Sequence, residues 1–126
     1  LNARMKQAPP EVATALHLKP DEKVAYIERL VSVHAAPLFI DRIYLIAQLG
    51  MLVLNADLSK EPIYSIIERH GYPIREGAQT MSAVLLTPND ARLLHSTPGA
   101  PALHIQRFTY VHADTPVEFS EGTSPR

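Results

Sequence analysis

Slid along itself, this sequence matches in one register: ten identities fall within 26 positions at a constant offset of 78. Pro10, Ala13, Leu16, His17 and Pro20 recur as Pro88, Ala91, Leu94, His95 and Pro98, and Ile27, Arg29, Val33, His34 and Ala35 recur as Ile105, Arg107, Val111, His112 and Ala113. Two copies at so long a period do not make a solenoid, so the chain reads as one domain built from two similar halves, about 1–46 and 78–126, with a connector between them. Its 126 residues, 46% hydrophobic, suffice for one core and not for two ordinary domains.

Local signals give both halves the same plan. In the second, Gln79 to Leu86 reads as a strand, and Thr87-Pro88-Asn89-Asp90 offers an N-cap, a first-turn proline and a first-turn acid for a helix reaching about His95. Ala102 to His112 is then a strand, Ala113-Asp114-Thr115 a turn, and Pro116 to Ser120 the returning strand. In the first half, Leu1 to Lys6 is a strand, Pro10 to His17 a helix and Lys23 to Val33 a strand; His34-Ala35-Ala36 turns the chain back into Pro37 to Leu45. Between the halves, Ile46 to Glu61 reads as irregular, and an amphipathic helix over about 62–70 ends at Gly71. Strands joined by tight turns are antiparallel, so the expected fold is α+β: a single antiparallel sheet of about six strands, made of two β-α-β-β halves, with helices packed on one side.

Period-2 alternation then sorts the charged residues by strand face. Arg29 is in step with Ala25, Ile27 and Val31, and Asp41 with Phe39, Ile43 and Leu45 on the strand across the hairpin. Arg107 is in step with Leu103, Ile105 and Val111, and Glu118 lies on the strand paired with it. Two arginine–acid pairs are therefore expected at equivalent places in the two halves. They are either ion pairs between neighbouring strands, since a buried charge needs a partner, or the lining of a cavity that takes an anionic ligand. Tyr64, at the start of the connector helix, is either packing or part of that cavity.

Other chemistries find little support. Twelve basic and 13 acidic residues leave a formal charge of −1, with the basic ones scattered singly, which disfavours DNA binding by this segment alone. Cysteine is absent, so disulfides and thiolate metal sites are excluded. The six histidines show no HxH or HxxxH spacing, and no GxSxG, HExxH or glycine-rich phosphate loop occurs; no metal, cofactor or catalytic residue is expected. The longest uncharged apolar stretch, Ile43 to Leu54, falls short of a membrane span. The chain begins at Leu1, and a further segment is expected to precede it.

The order of several short motifs resembles the UTRA domain of GntR-family regulators, HutC subfamily. They are Ile27-Glu28-Arg29-Leu30, Pro37-Leu38 through Asp41 to Tyr44-Leu45, Ile63-Tyr64 through Gly71, Ala91-Arg92-Leu93-Leu94, and Pro116-Val117-Glu118-Phe119-Ser120, with Arg126 at the end. The resemblance implies a chorismate lyase-like fold and a non-enzymatic, cytoplasmic sensor. By the same resemblance a small-molecule metabolite, anionic like a sugar phosphate or a carboxylate, binds here. The whole regulator would be a homodimer that reaches operator DNA through an N-terminal winged helix-turn-helix. It places Arg29, Asp41, Tyr64 and Glu118 in the effector pocket, to which the repeat adds Arg107. Arg29 would anchor the anion, Asp41 and Glu118 would fix its polar body, and Tyr64 would cover it. Val31 stands where sugar-phosphate sensors often carry a second arginine, Pro62 where a serine is frequent, and Ser124 where a pocket tyrosine is common. The alternatives are a chorismate lyase-like enzyme and a dimerisation module without a ligand.

Overall fold

A computed structural model describes residues 2–58, 60–112 and 115–125. The readings of Leu1 as strand, of Ala113 and Asp114 as turn, and of the terminal Arg126 lie outside the described residues. The first half consists of β1 (Asn2–Gln7), α1 (Pro10–Ala15), β2 (Lys23–Val33) and β3 (Ala36–Ile46). The connector holds α2 (Ala47–Leu54) and α3 (Ile63–Arg69), and the second half is β4 (Glu76–Leu85), α4 (Pro88–Leu93), β5 (Pro101–His112) and β6 (Thr115–Ser124). All six strands form one antiparallel sheet in the order β1-β2-β3-β6-β5-β4. The two repeats thus meet at the midline, where β3 pairs with β6, and mirror one another outward from it.

The repeat is visible in the helix ends. In α1 the amide of His17 donates to Thr14 and that of Leu18 to Ala13, and in α4 those of His95 and Ser96 donate to Arg92 and Ala91. This double closure places His17 and His95 in the left-handed region, at φ 56° and 53°, where glycine is commonest. The duplicated histidines are therefore chain-reversal residues. At the end of α3 the same closure uses Gly71, at φ 90°. Thr87 caps α4 as its sequence indicates, its hydroxyl accepting from the Asp90 amide.

Helices cover both faces of the sheet rather than one side. On one face α1 packs on Tyr26, Tyr44 and Phe119, and α4 on Ile40 and Ala102. On the other, α2 and α3 pack on Ala25, Ile27, Ile43 and Leu45. The inner strands β2 and β3 carry apolar residues at odd and even positions alike, and both sides must be shielded from water. Arg42 ties α4 to the sheet: its guanidinium reaches Asp90 at 2.8 Å and Glu28 at 3.0 Å, and Glu28 also accepts from the Tyr26 hydroxyl at 2.7 Å.

Helix α2 occupies part of the stretch expected to be irregular. Ala47–Leu54 has no charged residue and contains a glycine, so neither a polar face nor helix propensity marks it. Packing determines it instead. A Cβ on Gly50 would lie 2.4 Å from that of Ala25, so only a bare α-carbon lets α2 approach β2 this closely. Strand β6 also runs to Ser124, four residues beyond the expected end.

Candidate functional site

Period-2 geometry puts Arg29, Asp41, Arg107 and Glu118 on the face that carries α2 and α3. Pro62, in an extended conformation, starts α3, and Ile63, Ile66 and Ile67 anchor the helix in the core. This leaves Tyr64 facing the second half of the sheet. Its hydroxyl donates to Glu118 Oε1 at 2.7 Å, and Thr109 Oγ1 donates to the same oxygen at 2.7 Å. Glu118 is only 2% exposed. Burial pushes its carboxyl above the ordinary range, opposed by the two hydroxyl donors and by the positive charge of Arg107. Burial likewise raises the Tyr64 hydroxyl, aided by the charge of Glu118.

Arg29 and Asp41 face one another across β2 and β3, and Nη2 meets Oδ2 at 3.0 Å, as the alternation indicates. The pair is partly open to solvent, its side chains 38% and 19% exposed, so screening limits its contribution to stability. The Nε of Arg29 is buried and has no hydrogen-bond partner among the described residues. An unsatisfied buried donor of this kind favours an acceptor brought from outside.

The second expected pair does not form as an equivalent of the first. Arg107 lies opposite Ser120, and Glu118 opposite Thr109. By the offset of 78, the counterpart of Asp41 would be Phe119, which points to the opposite face and packs with Tyr44 and Phe108. Bulges differ between the hairpins, one at Val31/Ser32 in the first and two between Thr109 and His112 in the second, and the paired register ends up one residue apart. A slip of one residue sends each side chain to the other face. Arg107 consequently forms no ion pair with any described residue.

All five expected site residues nevertheless line one cavity of about 170 Å³, roofed by Pro62, Ile63 and Tyr64. A second hollow, of about 220 Å³, adjoins it along the same face and shares Asp41, Arg107 and Ser120 with it. Phe39, Leu103, Ile105 and Gly122 form its walls and floor. Sequence reasoning did not single out Thr109, Ser120 or this apolar extension as parts of a site. The available signal was the alternation that sets Leu103 and Ile105 in step with Arg107, and Phe39 in step with Asp41. Among the described residues no cluster of three or more potential ligands could hold a metal, and no helix is long and apolar enough to cross a membrane.

Comparison with known proteins agrees with this architecture. The family model of the UTRA domain matches residues 1–125. The ligand-binding domain of a regulator from Bordetella bronchiseptica, assigned to the GntR family, is 32% identical, with a TM-score of 0.83 over 98% of this chain and 78% of that one. A transcriptional regulator structure from Streptomyces coelicolor is 29% identical, with a TM-score of 0.89 over 98% and 82%. The C-terminal domain of the histidine utilization repressor from Pseudomonas syringae pv. tomato shares the fold, with a TM-score of 0.90 at 23% identity over 99% and 87%. No curated protein sequence matches. With the family model matched from end to end and a GntR-type ligand-binding domain among its relatives, the chain belongs to the UTRA domain family of GntR-type transcriptional regulators.

Proposed function

We propose that this domain senses a small anionic metabolite in the cavity between α3 and the sheet, and that Arg107 captures the anion. The observation that carries the reading is an arginine without an ion-pair partner among the described residues, at a cavity that also holds a buried carboxyl and two hydroxyls. Arg29 is engaged by Asp41, so its role is secondary: its buried Nε offers one further donor. Glu118, Thr109 and Tyr64 supply a polar wall for the rest of the ligand. In the whole regulator the ligand would change operator affinity only to the extent that it binds one arrangement of the protein better than another, typically by about 1 to 3 kcal/mol. This reading includes a cytoplasmic regulator that reaches DNA through a winged helix-turn-helix.

It also includes a homodimer. Of the two sheet edges, β1 is six residues long and carries Arg4 and Lys6, whereas β4 is ten residues long and uncharged from Gly77 to Leu85, with Met81 and Leu85 exposed. An uncharged edge of that length is a template for a second chain, and antiparallel pairing of β4 with its own copy satisfies a two-fold axis. Sedimentation showing only monomer at high concentration would remove this part.

The main test is a thermal-shift screen of sugar phosphates, aromatic acids and aliphatic acids against the wild type, Arg107→Gln and Arg75→Gln, the last an exposed control outside the cavity lining. A ligand at a hundred times its dissociation constant should add about 2.7 kcal/mol to stability. The expected result is an upward shift that Arg107→Gln abolishes and Arg75→Gln retains. A shift indifferent to Arg107, or no shift with any anion, would contradict the proposal.

A further inference from the structure

The charged cavity is closed at one end by Tyr64 and open at the other, where it runs into the hollow beside Phe39, Leu103 and Ile105. Because the two spaces share Asp41, Arg107 and Ser120, they form one trough along β5. From Arg107 to Leu103 is four strand residues, on the order of 13 Å. One end offers a guanidinium and hydroxyls, and the other offers aliphatic and aromatic carbon.

The floor of the open end is bare backbone. Gly122 pairs with Asp41 on one side and Ile105 on the other, so its α-hydrogens face the trough in line with those side chains. A Cβ built there meets nothing nearer than the Ile40 carbonyl oxygen at 4.0 Å. Neither a positive φ nor a close helix accounts for this glycine. Its effect is to leave open a space that any larger residue would fill. The charge balance is also specific: Arg29 and Asp41 offset one another, leaving the single positive charge of Arg107 beside a buried carboxyl. One positive charge not already offset suits a monoanion better than a phosphate dianion, whose second charge would have no cation left to meet it.

We infer that the ligand is an amphipathic monocarboxylic acid, its carboxylate on Arg107 and an unbranched apolar body lying over Gly122 between Phe39 and the Leu103–Ile105 wall. The inference rests on the anion-sensing reading of the same site and adds the chemical class of the ligand.

Calorimetric titration of the domain with acetate, butyrate, hexanoate and octanoate tests it, with glucose 6-phosphate as the polar alternative. Each methylene buried in the trough should tighten binding about fourfold, equivalent to about 0.8 kcal/mol. Gly122→Val, a change that suits a strand and whose Cβ meets nothing nearer than 4.0 Å, should flatten the dependence beyond butyrate. Arg107→Gln should weaken the whole series. A flat series in the wild type, or a slope that survives Gly122→Val, would overturn the inference. So would tight binding of glucose 6-phosphate with none of the acids bound, but sensitivity of that binding to Arg107→Gln would leave the anion sensor standing. If none of these anions binds in a way that depends on Arg107, both readings fall.

Discussion

The two halves of the sheet descend from one plan yet present different surfaces on the face that carries the connector helices. Over the first half, α2 and α3 seal Ala25, Ile27 and Leu45, and Arg29 is neutralised by Asp41. Over the second half no described helix occupies the equivalent place: Leu103 and Ile105 are only partly covered, Met81 and Leu85 are exposed, and Arg107 lacks an acid opposite it. What stabilises one copy is missing from the other, which is left with a partly covered apolar wall and an arginine without an ion-pair partner among the described residues. The two halves share a scaffold, and a one-residue difference in strand register leaves Arg107 opposite Ser120 where Arg29 stands opposite Asp41.

The largest expected effect comes from prising the cover off the first half. Gly50→Val would drive branched carbons into Ala25, and because the obstacle is a neighbouring Cβ on a central strand, α2 must move away. Overpacking of this kind should cost about 3 kcal/mol, read as a lower midpoint in urea unfolding, and an unchanged midpoint would show that α2 is not held by close approach.

A smaller effect should follow from making the second half resemble the first. Ser120→Asp puts a carboxylate opposite Arg107, as Asp41 stands opposite Arg29. It should weaken hexanoate binding at least tenfold, about 1.4 kcal/mol, whereas the similarly sized Ser120→Asn should bind nearly as the wild type does. Equal losses in both variants would indicate bulk rather than charge, and the contrast between the halves would lose its functional meaning.

The smallest effect concerns Glu118, whose counterpart by the repeat, Ile40, carries no charge. Its carboxyl is raised by burial, so between the ordinary glutamate value of 4.5 and its folded value the native state holds a proton that the unfolded chain has released. Stability contributed at this residue is therefore greatest below pH 4.5 and declines as pH rises through that window. Glu118→Gln keeps an oxygen to accept from Tyr64 and Thr109 and removes the ionisation. The variant should gain melting temperature over the wild type at pH 7.5, with the gain shrinking toward pH 4.5. A gain that grows on acidification would reverse the assignment of the shift.

Much of the architecture was legible in the sequence because it is written twice. The repeat identifies the halves, the turn residues mark the hairpins, and the Thr87 cap and Gly71 stop bound their helices. That Arg29 and Asp41 share a face follows from alternation alone; their ion pair was one of the two arrangements it allowed. Register in the second hairpin does not follow from it, because no local pattern marks the bulges between Thr109 and His112 that set it. Helix α2 was hidden for a related reason: its glycine is explained only by Ala25, some 25 positions earlier in the chain. Of the site, the charged members were readable as oddities on apolar strand faces. The apolar wall was not, since Phe39, Leu103 and Ile105 look like core residues until the bare second half is seen.

The midline pairing of β3 with β6 gives the trough a mechanical position as well as a chemical one. Asp41 belongs to one repeat and Ser120 and Arg107 to the other, so an occupant straddles the seam between them. Sheets accommodate strain by altering their coil from strand to strand. A ligand held across the seam would touch both repeats at once and so bias how far one is rotated against its twin, a change that would reach both outer edges of the sheet.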